Sequence, residues 1–220
     1  VKNTQIEFIA VSEGVEKLSK SQFTNLKIQT IYNNVDVEEE IVNFPEKFVD
    51  YILAVGRMDN SNVKQFDILI DCYSKSVLPQ KNIKLLILGE GVLLDALRKQ
   101  VIDLNLQDLV CFKGFEKHLY SYYSHAKFLV LSSKYEGLGM VLIESLMCET
   151  PVVSFDCDFG PSEIITNKYN GLLVENQNKI ELTHAMNSFI EDEKLYVFCK
   201  RNSKRSVFKF SEESISKKWQ

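Results

Sequence analysis

Two glutamates, Glu136 and Glu144, are separated by seven residues that include two glycines. Glu136 lies in a glycine-containing loop, and Glu144 lies about one helical turn into the helix that we expect to follow. Carboxylates repel phosphate but accept hydrogen bonds from hydroxyl groups, whereas free backbone amides at the start of a helix bind phosphate. The spacing therefore favours one ligand with its hydroxyls at the two acids and its phosphates at the amides of residues 137–140.

Two cations, Arg57 and Lys64, strengthen the case for a phosphate ligand. Arg57 follows an apolar run at 51–56, and Lys64 lies seven residues later, at the start of the next helical stretch. Helix N-termini offer free N–H groups and the positive end of the helix dipole, and Arg or Lys adds full charge. Because such residues are more often solvated surface charges, the assignment depends on their position after a strand.

The elements that must position these residues follow one repeated pattern from residue 51 onward, in which a short apolar run alternates with a helical stretch. The runs are rich in Leu and β-branched residues and read as buried parallel strands, and each helix has one apolar face. This alternation predicts an α/β fold with a Rossmann-like, doubly wound parallel sheet, in which ligands bind beyond the carboxyl ends of the strands. The predicted strands are residues 51–56, 84–89, 109–114, 127–132, 151–155 and 171–174.

Composition excludes several classes of protein. The formal net charge of −4 gives no overall basic field to attract nucleic acid. The five cysteines contain no CxxC pair, which favours reduced thiols in a cytosolic protein over a disulfide scaffold. No apolar run reaches the 18 residues or so that a membrane-spanning helix needs, and the three histidines have no metal-ligand spacing.

Several motifs, in the same order along the chain, resemble the retaining glycosyltransferases of GT-B architecture, the large group often called family 4. The stretch EGLGMVLIE at 136–144 is similar to the E-x7-E motif of that family. ILAVGR with KQFDIL, LILGEG, AKFLVLSSKYE, and GPSEII with NGLLV resemble its other conserved stretches. The chain departs from the pattern at Gln65, where Gly is commoner, and at Ser132-Ser133, where the family often has Pro-Ser.

The resemblance implies a site for a nucleotide-diphosphate sugar without a bound metal. Arg57 and Lys64 would hold the diphosphate and, with Glu136 on the hydroxyls of the transferred sugar, form the candidate catalytic set. Glu144 would bind the ribose. Phe115, which is as often a core aromatic, would lie near the base, and Glu163 is a further donor contact unless it caps its own helix. The candidate donor-binding residues are Glu144, Gly139, Met140, Val141, Phe115 and Glu163.

The resemblance also sets expectations for the whole protein. We expect a hexosyltransferase that takes a UDP-sugar rather than a GDP- or ADP-sugar. Its glycan or lipid-linked acceptor would belong to bacterial surface polysaccharide or lipopolysaccharide and would bind an N-terminal domain that this chain lacks, so this piece alone would be inactive. We expect it in the cytoplasm, and the basic cluster at 200–209 leaves a peripheral contact with the inner face of the membrane open.

The chain divides into three predicted parts. Residues 1–42 form a segment leading in from the interdomain region, with strands at 7–12 and 29–32 and a helix at 12–19. Residues 43–210 form the Rossmann-like domain, preceded by a linker at 43–50, and residues 211–220 form a C-terminal helix that we expect to be truncated.

Three other functions remain open. The first is a non-catalytic nucleotide-binding module of the same architecture. The second is an NAD-dependent oxidoreductase, which is disfavoured because Gly89-Glu90-Gly91 is followed by Leu94 where the dinucleotide motif needs Gly or Ala. The third is a nucleotide-sugar epimerase of GT-B shape, against which the E-x7-E motif argues.

Overall fold

A computed structural model of the chain describes residues 7–35 and 50–219. Its larger sheet has six parallel strands in the order β5-β4-β3-β6-β7-β8, and a smaller parallel sheet pairs β1 with β2. The strands are β1 Glu7–Ala10, β2 Lys27–Thr30, β3 Tyr51–Val55, β4 Lys84–Leu88, β5 Val110–Gly114, β6 Leu129–Leu131, β7 Val152–Asp156 and β8 Gly171–Glu175. The helices are α1 Glu13–Gln22, α2 Phe66–Ser74, α3 Leu94–Asp103, α4 Tyr120–His125, α5 Met140–Met147, α6 Pro161–Ile164, α7 Lys179–Glu191, α8 Glu193–Ser206 and α9 Glu212–Ser216.

The strand order of the larger sheet is that of a doubly wound Rossmann fold. From β3 the chain moves outward through β4 to β5, then returns to the other side of β3 and continues through β6, β7 and β8. The direction of winding reverses between β3 and β6, and ligands bind in the crevice beyond such a switch point. The predicted fold class is therefore confirmed, and the switch point lies where Arg57 and Lys64 follow β3.

The sheet is buried on both faces because its strands are mainly apolar, and β3 is apolar along its whole length. In β3, Ile52 packs into a core with α2, α3 and α7, whereas Leu53 packs into a second core with α4 and α5. Both side chains are fully buried. Successive side chains of a strand point to opposite faces, so one continuous apolar run supplies both layers of the core.

The small unit β1-α1-β2 is joined to the main sheet through its helix. Ser12 caps α1, because its side chain accepts a hydrogen bond from the Val15 amide. Beyond β2, Tyr32 packs edge-to-face on Phe210, with 4.9 Å between ring centroids. The contact between Tyr32 and Phe210 places the segment after β2 against residues near the end of the chain.

Predicted and observed elements agree within a few residues. All six strands predicted from residue 51 onward are confirmed, and so are the two early strands, while the predicted helix at 12–19 continues to Gln22. Ser211 caps the last helix as expected. The predicted boundary at 42/43 and nearly all of the linker fall at 36–49, outside the described residues, so the division into parts stays a prediction. None of the helices in the two described ranges is both long and apolar enough to cross a lipid bilayer.

Candidate functional site

Lys64 and Glu136 form an ion pair across the switch point of the sheet. The Lys64 ammonium lies 2.6 Å from Oε1 of Glu136. The two side chains are 23% and 12% exposed, so water screens this pair less than it screens a surface pair. Lys64 follows β3 and Glu136 follows β6, which means that the ends of two neighbouring strands bring together residues 72 positions apart.

The stem of Lys64 lies directly over Gly56, the residue after β3. A Cβ atom on Gly56 would lie 2.9 Å from Cγ of Lys64 and about as close to the two following carbons. Any larger residue at position 56 would push the lysine stem aside. Gly56 therefore makes room for the cation, a role that its place at the end of the run did not reveal.

The loop that carries Glu136 is fixed at both its side chain and its backbone. The Ser133 hydroxyl donates to Oε1 of Glu136 at 2.6 Å, the same oxygen that binds Lys64. The Glu136 amide donates to the Asp158 carbonyl at 3.0 Å, just after β7. Sequence reasoning missed Ser133, although its position three residues before Glu136 was the available signal.

Helix α5 begins at the crevice with free amide groups. Gly139, the residue before the helix, has φ of +89°, a left-handed conformation that glycine adopts without strain. No side chain in the described part of the chain caps this helix, so the first-turn amides of Met140 and Val141 remain for an acceptor oxygen. A helix N-terminus with free amides suits an anion.

Glu144 lies one turn into α5, half-buried, and accepts a hydrogen bond from Tyr123. The Tyr123 hydroxyl donates to Oε2 of Glu144 at 2.6 Å. Burial raises the pKa of Glu144, while the Tyr123 hydrogen bond and the charge of Lys64 act in the opposite direction. The structure thus brings Lys64, Glu136, Glu144 and the start of α5 together. Tyr123, which was not among the sequence-predicted site residues, also belongs here.

A cavity of about 800 Å³ adjoins this cluster at the ends of β3, β4 and β5. Arg57 and Phe115 line it, together with Gly89, Glu90 and Glu116 at its rim. Phe115 is 71% exposed, so it is not a core aromatic. The Arg57 guanidinium is 87% exposed and lies 3.8 Å from Asp59, apart from the Lys64–Glu136 pair.

Glu163 lies at the other side of the site, against α1. Its carboxylate accepts hydrogen bonds from the amides of Glu13 and Gly14, both at 2.9 Å, and from the Tyr32 hydroxyl at 2.9 Å. It therefore caps the first turn of a different helix rather than its own, α6. The structure therefore does not bring the Glu163 side chain to Lys64 and Glu136, and Arg57 likewise pairs with Asp59 rather than with that ion pair.

Across residues 7–35 and 50–219, no three His, Cys, Asp or Glu side chains lie close enough together to hold one ion. The positive charges near the crevice are those of Lys64 and Arg57, and the first-turn amides of α5 add the positive end of the helix dipole.

The chain matches the family model for glycosyl transferases group 1 over residues 36–206. A curated Campylobacter jejuni protein, N-acetylgalactosamine-N,N'-diacetylbacillosaminyl-diphospho-undecaprenol 4-alpha-N-acetylgalactosaminyltransferase, is 34% identical over 197 residues, which cover 87% of this chain and 52% of that protein. The Staphylococcus aureus poly(ribitol-phosphate) alpha-N-acetylglucosaminyltransferase is 32% identical over 90% of this chain and 40% of its own length.

Solved structures show the same similarity. A TarM mutant from S. aureus, in complex with fondaparinux, alpha-GlcNAc-glycerol and UDP, has a TM-score of 0.85 and 29% identity and covers 96% of this chain. This chain covers 42% of that structure. It therefore spans about half, or less, of the length of the relatives it matches.

Proposed function

Since the chain belongs to the glycosyl transferases group 1 family, we propose that it binds the nucleotide-diphosphate-sugar donor of a retaining glycosyltransferase. The observation that carries the proposal is the ion pair of Lys64 with Glu136 beside the uncapped start of α5. A cation, an acid and free amides at one switch point match the three chemical needs of such a donor: neutralised phosphates, bound hydroxyls and an oriented diphosphate.

The diphosphate is placed between the Lys64 ammonium and the amides of Met140 and Val141. Negative charge grows on the leaving phosphate oxygen as the bond to the sugar breaks, and a cation fixed beforehand stabilises that charge without reorganising in the transition state. Arg57 adds a second, exposed positive charge from the cavity side. In this scheme Glu136 exchanges part of its contact with Lys64 for the hydroxyls of the sugar.

The nucleoside occupies the other half of the crevice. Glu144 accepts from the ribose hydroxyls through Oε1, because Tyr123 already occupies Oε2. The base enters the cavity lined by Phe115, which is exposed enough to stack on it. Uracil is the base we favour, because the matched TarM structure, 29% identical to this chain, contains UDP.

The acceptor and the transfer reaction belong to the whole protein. The curated relatives transfer N-acetylhexosamines, by their names, to an undecaprenyl-diphosphate-linked sugar or to poly(ribitol phosphate). We propose a hexosyl transfer of the same kind to a surface glycan or its lipid-linked precursor in the cytoplasm at the inner face of the membrane. The acceptor would bind an N-terminal half outside these residues.

The donor proposal is tested by thermal unfolding with a panel of nucleotides. Ligand at about 100 times its Kd adds roughly 2.7 kcal/mol, which raises Tm by about 5–10 °C for a chain of this size. We expect this rise with UDP and with at least one UDP-sugar, and no rise with NADH. Stabilisation by NADH alone would overturn the proposal in favour of an oxidoreductase.

A non-catalytic module remains the second candidate, because a piece that spans half of its relatives can bind a donor without transferring it. The protein extended to the length of its relatives, given UDP-sugar and acceptor, decides between the two. We expect sugar transfer with an α-linked product, read from the anomeric proton in the NMR spectrum. Binding without transfer or hydrolysis would establish the module, and an inverted product would contradict retention.

A further inference from the structure

Ser132 ties the end of β6 to the turn that carries Lys64. Its side chain is fully buried, and its hydroxyl donates to the Lys64 carbonyl at 2.7 Å, with a longer contact of 3.2 Å to the Gln65 carbonyl. The Lys134 amide donates to the Val63 carbonyl at 2.8 Å, so the same two segments are joined a second time. The backbone of the phosphate-binding lysine is therefore held by the strand across the switch point.

Gln65 fixes the same turn from the opposite side. It has φ of +48°, a left-handed conformation that is unusual for a residue other than glycine. Its side-chain amide pairs reciprocally with that of Gln177 beyond β8, with each nitrogen donating to the other oxygen at 3.0 and 2.9 Å. This pair spans 112 positions and ties the start of α2 to the loop after β8.

We propose that Ser132 and the Gln65–Gln177 pair are positioning elements that hold Lys64 in place for the diphosphate of the donor. The inference rests on the proposed function, since it assigns them a role through Lys64. Both ties are made by side-chain groups, the hydroxyl of Ser132 and the paired amides of Gln65 and Gln177.

Holding the Lys64 backbone in place matters for phosphate binding because the lysine side chain is flexible. Its stem has four rotatable bonds, so a cation that is held only by Glu136 would sample several positions. The Lys64 stem lies over Gly56, and the Lys64 carbonyl is held by Ser132. With its stem and backbone fixed in this way, the Lys64 ammonium needs only a small movement to pass from Glu136 to a phosphate oxygen. If the Ser132 hydroxyl is lost, the turn can relax while the base and ribose contacts remain.

Ser132→Ala tests the inference, with Ser203→Ala as the matched control. Ser203 is also fully buried, and its hydroxyl donates to a backbone carbonyl, that of Cys199, at 3.0 Å within α8. In calorimetric titrations we expect Ser132→Ala to raise the Kd for UDP about 5- to 20-fold and to change the Kd for uridine less than two-fold. We expect Ser203→Ala to change neither. Equal losses for both ligands, or no loss for UDP, would overturn the role of Ser132.

A double variant shows whether the effect passes through Lys64. In a Lys64→Ala background, we expect Ser132→Ala to change the Kd for UDP by less than two-fold, because the cation it positions is gone. A loss as large as in the unmodified protein would mean that Ser132 acts independently and would overturn the inference. If the unmodified chain binds UDP no better than uridine, the proposed function fails first.

Gln177→Ala tests the second tie and leaves Gln65, the partner in the turn, unchanged. Gln177 is exposed at the surface, so this variant is expected to fold normally. We expect a two- to four-fold higher Kd for UDP, an unchanged Kd for uridine, and no additional loss when Lys64 is already Ala. An unchanged Kd for UDP would overturn the role of the amide pair.

Discussion

The hydroxyl of Tyr123 lies 2.6 Å from Oε2 of Glu144, although the two residues are 21 positions apart in the sequence. Tyr123 is fully buried beneath α5, and Glu144 is half-buried above it. A buried carboxylate needs a donor to offset its lost hydration, and the phenol supplies one from the core side. The other carboxylate oxygen is thereby left to the crevice.

Replacing Tyr123 by Phe is expected to make nucleotide binding sensitive to pH. The phenol hydrogen bond lowers the pKa of Glu144, so its loss raises that pKa further and leaves more of the carboxyl protonated at a given pH. We predict that the Kd of the variant for UDP rises more steeply than that of the unmodified chain as the pH is lowered from 8 to 6. Isothermal titration across this range measures it.

Tyr73→Phe is the matched control for that experiment. Tyr73 is fully buried, and its hydroxyl donates to the Ile83 carbonyl at 2.7 Å. We expect Tyr73→Phe to lower Tm about as much as Tyr123→Phe does. The pH dependence of its Kd for UDP should remain that of the unmodified chain. Parallel profiles for both variants would show that Tyr123 acts only as a packing residue.

Glu144→Gln should bind UDP more weakly and yet be at least as stable as the unmodified chain at neutral pH. Because the pKa of Glu144 is raised above 4.5 on folding, the folded state binds more protons than the unfolded state above that value. The stabilising contribution of the protonated group is present below pH 4.5 and is lost as pH rises through the higher, folded pKa. Gln stays neutral and can still accept from Tyr123.

Melting curves at several pH values measure this effect. We predict a Tm up to about 3 °C higher for Glu144→Gln at pH 7, the shift that roughly 1 kcal/mol produces in a chain of this size. The advantage should vanish near pH 4.5, the ordinary pKa of the group. A large loss of Tm at pH 7 without ligand would mark Glu144 as a structural residue instead.

Lys64→Ala should weaken binding of UDP far more than binding of uridine. A charge-assisted hydrogen bond contributes roughly 1.5–3 kcal/mol, which corresponds to a 10- to 150-fold rise in Kd for the diphosphate alone. Lys75→Ala is the control, because Lys75 also pairs with a carboxylate, that of Asp71 at 2.8 Å, but on the exposed side of α2. Equal losses for UDP and uridine would contradict the assignment of Lys64 to the phosphates.

Arg57→Ala should follow the same ligand pattern with a smaller effect. Its guanidinium is largely exposed and reaches a phosphate only by moving, so we predict a 3- to 10-fold higher Kd for UDP and an unchanged Tm. Arg98→Ala serves as the control, since Arg98 is exposed beside Asp95 on α3. If Arg57→Ala and Arg98→Ala bind UDP with the same Kd, Arg57 does not take part in binding the diphosphate.

Glu163→Ala should loosen the attachment of α1. The carboxylate caps two amides and accepts from Tyr32, and a lost helix cap typically costs about 1–2 kcal/mol, or roughly 2–8 °C in Tm. We predict faster hydrogen exchange at Glu13 and Gly14 and a Kd for UDP within two-fold of the original. Asp192→Ala, which removes a cap from α8, should leave that exchange unchanged. A 10-fold loss of UDP affinity would return Glu163 to the donor site.

The sequence predicted the sheet well because its strands are mainly apolar runs, four of which end in Gly or Ser. It also indicated that the carboxyl ends of the parallel strands meet at one edge of the sheet, so Lys64 and Glu136 were expected in one crevice. The strand order that makes β3 and β6 neighbours came from the structure. The sequence could not reveal contacts set by side-chain direction. In the sequence, nothing distinguishes Tyr123 from the neighbouring tyrosines. Its hydroxyl reaches Glu144 because α4 packs on α5 in the folded chain. Its position in the sequence suggests that Glu163 acts as a first-turn acid of α6. In the folded chain α1 lies close by, and the Glu163 carboxylate accepts from the first amides of α1 instead.

A crystal structure of this chain with UDP tests most directly whether the switch-point crevice holds a diphosphate. We predict phosphate oxygens within about 3.2 Å of the Lys64 ammonium and of the Met140 or Val141 amide, with ribose hydroxyls on Glu144. UDP bound elsewhere, with Lys64 still paired only to Glu136, would contradict the donor site and the glycosyl-transfer chemistry built on it.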